Sequence, residues 1–275
     1  MSERISVTID QGVADVVLTR GDKMNALDDA MFAALIDTAE QLGADKSVRC
    51  VVLSGEGRAF CAGLDMGNFG KMADGGDKAS TPGTSGEGEE GRLEKRTHGI
   101  ANRPQFAAWA WRELPMPVIA AVHGVAFGGG LQICLGADMR YLAPGTRMSV
   151  MEIKWGLVPD MAGTQIMRHL VRDDIVRELT YTGRIFSAEE ALDYGFATRL
   201  VDDPHAEAMA VARDIANKNP SAIRSAKHLL TQAPLLSPAD GLMLESTEQD
   251  KIIGKPNQVE AIMSNMEKRA PNFKD

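Results

Sequence analysis

Gly128, Gly129 and Gly130 stand in a row between an apolar, β-branched run from Val118 to Val122 and apolar residues at helical spacing, Leu131, Ile133, Cys134 and Leu135. A strand therefore feeds through a glycine turn into a short buried helix. With no side chain in the way, a ligand can approach the backbone there. The free N–H groups of a helix start, with the positive end of its dipole, can hold an anion or a developing oxyanion. A turn needed only for tight packing would look the same. Downstream, Glu152 and Asp160 lie eight residues apart in MEIKWGLVPD. A turn after the tryptophan segment would return the second carboxylate toward the first. Asp also suits a turn after Pro159 for purely local reasons, and Glu152 could form a surface ion pair with Lys154.

The elements that must position these residues follow from periodicity. Alternating Ile5, Val7 and Ile9, a Gln11-Gly12 turn and the run Ala14 to Leu18 predict a β-hairpin. Asp28 is placed to cap an amphipathic helix to about Leu42. Val48 to Leu53 predicts a buried strand, closed by SGEGRAFCAGLDM, a second glycine-bearing strand exit. A helix is expected over 103–112, a short strand over 147–150, helices over 165–170 and 176–182, a helix capped by Ser187 and ending at Gly195, and a strand over 197–201. From Pro204 onward the pattern is helical, with breaks at Pro220, Pro234, Pro238 and Pro256. Repeated strand, turn and helix units give an α/β fold.

Two regions are expected: 1–203, the core, and 204–275, a helical region suited to packing on a neighbouring subunit. Within the first, the composition between Gly67 and Gly91 turns abruptly to Gly, Ser, Asp, Glu, Lys and Thr, which predicts a mobile insertion without a core of its own.

The chain of 275 residues carries a net charge of −8 and no basic stripe, which argues against a nucleic-acid partner. Cys50, Cys61 and Cys134 are far apart and each sits among apolar residues, so reduced core thiols are expected rather than a disulfide framework or a metal site. No apolar run suggests a signal peptide or a membrane partner, and a cytoplasmic location is expected.

Four segments in order, LTRGDKMNAL, RAFCAGLDM, VHGVAFGGGLQICLGAD and SVMEIKWGLVPDMAGTQ, resemble the crotonase superfamily, the enoyl-CoA hydratase and isomerase enzymes. GRIFSAEEALDYGFATRLV and the terminal EKRAPNF add to the resemblance. It implies a spiral of ββα repeats with a C-terminal trimerisation region, a homotrimer or hexamer, and an acyl-CoA thioester substrate. No cofactor is implied beyond the coenzyme A that the substrate carries.

By position, the resemblance assigns the backbone N–H groups of Leu64 and Gly129 as the two donors that hold the thioester oxygen while an enolate forms. It implies that a Cβ at Gly129 would obstruct the thioester. Lys23 and Lys268 match positions that contact CoA, Lys268 at the 3′-phosphate, in some members from an adjacent subunit. The backbone at Ala62 and Leu64 would hold the adenine and pantetheine arm. A lysine the family carries after RAFCAGLDM is Gly67 here, so one phosphate contact is missing.

In hydratases of the family two glutamates flank the attacking water. Glu152 matches the second, but the first falls on Gln132, whose amide can orient a group by hydrogen bonds and cannot accept a proton. Asp160 matches a position where some double-bond isomerases carry an acid and a dehalogenase carries its nucleophile. Glu152 with Asp160 thus resembles an isomerase pair. Hydration through Glu152 alone, thioester hydrolysis and dehalogenation remain alternatives, as does a CoA-binding scaffold without activity. A nucleotide-binding module is a further alternative, although GVAFGGG is not GxGxxG and no GK[ST] follows. His123 is expected to be a hydrogen-bonded structural imidazole. Trp155 would either line the acyl pocket or fill the core.

Overall fold

Gln11 and Gly12 both adopt positive φ, 49° and 81°, the backbone that a two-residue hairpin turn requires. They join β1 (Ile5–Asp10) to β2 (Val13–Leu18), antiparallel with Ile5 opposite Leu18. The computed structural model describes residues 3–67 and 93–275; the expected insertion, apart from Gly67, lies outside them. Asp28 caps α1 (Asp29–Ala44) by accepting the Met31 N–H, and β3 (Cys50–Gly55) follows. The predicted start of that strand, Val48, belongs to the turn before it, where its N–H bonds Asp45.

After a reciprocal cap between Asn102 and Gln105 comes α2 (Arg103–Glu113). Then come β4 (Val118–Val122), β5 (Val125–Phe127), α3 (Gly129–Gly136), β6 (Met139–Leu142) and β7 (Arg147–Ser149). Next are α4 (Gly163–Met167), α5 (Asp173–Thr182), β8 (Phe186–Ser187), α6 (Ala188–Tyr194) and β9 (Arg199–Leu200). Four helices finish the chain: α7 (Pro204–Ala216), α8 (Pro220–Gln232), α9 (Pro238–Asp250) and α10 (Pro256–Met266). Each begins with proline in its first turn, where the missing N–H costs nothing.

The larger sheet runs β1-β2-β3-β4-β6-β9, and the smaller runs β5-β7-β8. Beyond the hairpin, every pairing in the larger sheet is parallel. In successive units the first strand joins the larger sheet and the second joins the smaller one: β4 then β5 before α3, and β6 then β7 before α4. The same step recurs earlier, where β3 is followed by an isolated parallel bridge from Cys61 to Ala126 of β5. This is the ββα repeat that the resemblance implies, and it makes the α/β fold.

Strand residues on both faces of the larger sheet are buried, as parallel strands require. Val51, Leu53, Val118 and Ala120 pack toward α1 and α2. Cys50, Val52, Ile119, Ala121 and Tyr141 pack beneath Ala208, Ala212 and Ala216 of α7. Burial pushes all three cysteine thiols up to about 12, and all three are unpaired. Among the described residues no helix is long and apolar enough to cross a membrane.

Candidate active site

Two loops are stitched together by one buried amide. Asn25 is fully buried and sits at φ 55°. Its Nδ2 donates to the carbonyls of Glu56 (3.0 Å) and Ala59 (2.9 Å), while its Oδ1 accepts the Arg20 N–H (2.9 Å). Arg20 in turn donates to Ala26 O at 2.9 Å and to Asp65 Oδ2 at 2.6 Å. Asp65 also accepts the Gly67 N–H, and these bonds hold its carboxyl below the usual range despite partial burial.

Ala62 N donates to Met24 O, Leu27 N to Gly63 O and Asp65 N to Leu27 O. The exposed Lys23 turn is thus drawn against Ala62 and Leu64. Sequence reasoning missed Arg20 and Asn25. The available hint is Asn before an apolar run, a residue type that tolerates positive φ.

The second wall is the start of α3. Cys61 N donates to Val125 O and Phe127 N to Cys61 O. Three residues on from the bridged pair Cys61 and Ala126 stand Leu64 and Gly129. Gly63, at φ 87°, has no room for a side chain: a Cβ would lie 2.6 Å from Phe127 O and 3.6 Å from Gly129 N.

The three adjacent glycines answer three different demands. Gly128 takes φ 50° and ψ −119°, and its Cβ would lie 3.3 Å from Glu152 Oε1. Gly129 supplies the first N–H of the helix, which has no intrahelical acceptor; a Cβ there would meet Met161 Sδ and Leu27 Cδ1. Gly130 is held against Cys61 O, 2.3 Å from where its Cβ would be. Among the described residues, the N–H groups of both Leu64 and Gly129 lack an acceptor.

The third wall carries the acids. Glu152 opens a 3-10 turn over Glu152–Trp155 just after β7 and is buried, 9% exposed. Gln132 Nε2 donates to Glu152 Oε1 at 2.6 Å, and Glu152 Oε2 has no partner among the described residues. Gln132 Oε1 accepts the N–H groups of Met161 (2.9 Å) and Gly163 (2.8 Å). Burial raises the Glu152 carboxyl above its ordinary value and the nearby Asp160 charge adds to this, while the Gln132 bond opposes it. Such a group gains and loses a proton nearer neutrality than an ordinary glutamate does.

Asp160 itself is exposed, and its charge bears on Glu152 across the turn. Lys154 sits over the Trp155 ring rather than on Glu152, and Trp155 is 39% exposed, outside the core. His123 donates from Nε2 to Gly57 O at 2.9 Å. Lys268, at φ 52° just past α10, is exposed; no contact among the described residues joins it to Lys23, Ala62 or Leu64.

The family model for enoyl-CoA hydratase/isomerase matches residues 13–275. The chain belongs to the enoyl-CoA hydratase/isomerase family. Similar members of this family include human enoyl-CoA hydratase domain-containing protein 2, mitochondrial, 30% identical over 96% of this chain and 86% of that protein. The rat mitochondrial Delta(3,5)-Delta(2,4)-dienoyl-CoA isomerase is also 30% identical, over 97% of this chain and 80% of its own. Among solved structures, an enoyl-CoA hydratase from Bacillus anthracis superposes with a TM-score of 0.84, at 28% identity, covering 98% of this chain and 99% of that one. Members of the enoyl-CoA hydratase/isomerase family act on acyl-CoA substrates, and relatives at this distance carry both names, hydratase and isomerase.

Proposed function

We propose that this chain shifts a carbon–carbon double bond within an acyl-CoA thioester. The thioester oxygen accepts the N–H groups of Leu64 and Gly129, which stabilise negative charge as it develops on that oxygen. Glu152 Oε2 takes the proton from the carbon next to the thioester carbonyl, leaving an enolate. Glu152, or Asp160 in relay, returns a proton at the far end of the unsaturation, so that one C–H bond breaks, another forms and the double bond moves. Lys23 and Lys268 meet the phosphates of CoA, and the backbone at Ala62 and Leu64 holds its adenine and pantetheine arm. The only coenzyme in this reading is the CoA of the substrate.

One observation carries the choice of reaction. The two side chains between which a hydratase holds its water, here Gln132 and Glu152, touch directly at 2.6 Å. That contact occupies the Gln132 amide and Glu152 Oε1 with each other, so neither is a free base for an attacking water. Hydration through Glu152 alone is the second reading, favoured by the relatives that carry the hydratase name.

Assaying a 3-enoyl-CoA and a 2-enoyl-CoA side by side separates the two. Conversion of the first without hydration of the second is the expected result, and faster hydration of the second overturns the proposal. A homotrimer or hexamer belongs to the same proposal. It is supported by Leu230, Leu242, Met243 and Met266, each more than half exposed on the C-terminal helices.

A further inference from the structure

We infer that Gln132 is a positioning residue: its amide, fixed by two backbone N–H groups, holds Glu152 by one oxygen so that protons pass only through the other, and sets where Asp160 stands. The inference rests on Glu152 being the proton carrier proposed above. The orientation of the amide is dictated by its neighbours. Met161 N and Gly163 N are both donors, so the oxygen of Gln132 must face them and its NH2 must face Glu152.

Oε1 of Glu152 is then occupied by a donor 2.6 Å away and backed by Gly128. A proton placed on Oε1 would point into that NH2 group. Oε2, buried and unbonded among the described residues, is the one atom left to accept it.

Gln132 is only 1% exposed, with three of its four hydrogen-bonding sites spent inside the protein, so it acts through Glu152 rather than on a substrate. Met161 and Gly163 flank Ala162, at φ 67°, directly after Asp160. The same amide oxygen therefore anchors the turn that carries the second acid. Among the described residues, Asp160 is a charged side chain that bears on Glu152. The charges of α5, which packs on the Glu152 turn, are engaged in the pairs Arg177–Asp173, Arg172–Asp174 and Arg184–Glu178.

Two substitutions test this, read by carboxyl titration of Glu152 in isotope-edited infrared or NMR spectra and by the pH profile of turnover. Gln132→Met removes the tie. The Glu152 titration should move upward, and kcat on a 3-enoyl-CoA should fall about 100-fold, the scale of a small misplacement, with KM little changed. Gln132→Glu keeps an acceptor for Met161 N and Gly163 N, so it preserves the turn if the methionine variant fails to fold. It sets two carboxylates against each other, so the acid limb of kcat/KM and the Glu152 titration should both rise by about one pH unit or more.

An unshifted Glu152 titration in the folded variants overturns the inference. So does wild-type kcat in Gln132→Met. If the wild type turns over neither enoyl-CoA, the proposed function has failed, and the titration alone still decides the role of Gln132.

Discussion

Gly63 and Gly129 stand so close that a methyl group on Gly63 would lie 3.6 Å from the Gly129 nitrogen. Residues from two strand exits, far apart in the chain, thus present adjacent backbone, and each exit contributes one N–H that is unpaired among the described residues. Gly129→Ala puts a methyl against Met161 Sδ (2.7 Å) and Leu27 Cδ1 (2.8 Å), the movable ends of flexible side chains. Thermal unfolding should stay within a few degrees of wild type while turnover drops about 100-fold or more, the usual cost of disturbing one oxyanion donor. Gly130→Ala is the contrast: its methyl meets the Cys61 carbonyl at 2.3 Å, backbone that cannot step aside, and it should lose stability first. Equal loss of stability in both variants would contradict the distinct roles given to them.

Glu152→Gln should abolish most turnover, about 100- to 10,000-fold as for other lost general bases, without destabilising the fold. The substitution removes a buried carboxylate whose Oε2 lacks a partner among the described residues and keeps an oxygen for Gln132 Nε2. A desolvated charge is costly to hold, so the melting temperature at neutral pH should be equal or higher. A lower melting temperature with retained turnover would show that the carboxylate serves the fold.

What could be seen in the sequence was local or came by resemblance. The hairpin turn, the Asp28 cap, the Ser187 cap and the helix breaks at Pro220, Pro234, Pro238 and Pro256 depend on residues within a few positions of one another, and all form where expected. The strand β5, three residues long, has no periodicity to show and exists because Cys61 on one side and β7 on the other complete its bonds. The work of Asn25 was equally hidden, since its acceptors lie 31 and 34 residues away. Gln132 could be recognised as an amide in a carboxylate's place. That its oxygen would be claimed by the backbone of residues 161 and 163 is a product of tertiary packing.

The pH dependence follows from the raised Glu152 carboxyl. A base must be ionised to act, so kcat/KM should fall on the acid side with a midpoint above the ordinary glutamate value of about 4.3. For stability the sign is opposite. A carboxyl raised in the folded state favours its protonated form, so its contribution is present at low pH and lost as pH rises through the folded value. The gain in melting temperature from Glu152→Gln should therefore be seen near pH 8 and vanish below about pH 4. A gain that persists undiminished into acid would contradict this assignment.

Asn25→Leu removes two donors and an acceptor from a fully buried site. It leaves the carbonyls of Glu56 and Ala59 unpaired, at about 1–3 kcal/mol for each orphaned group. Urea unfolding should show a loss of several kcal/mol. Any folded fraction should bind CoA thioesters more weakly, because the loop carrying Ala62 and Leu64 loses its anchor. Wild-type stability would show that the loops are held elsewhere.

The most direct test follows the proton itself. A 3-enoyl-CoA is converted in heavy water by the wild type and by Glu152→Gln, and NMR observes the carbon beside the thioester. The wild type should move the double bond and exchange or transfer that proton, and Glu152→Gln should do neither while still binding the thioester. Undiminished loss of the proton in Glu152→Gln would contradict the placing of the chemistry at Glu152 Oε2.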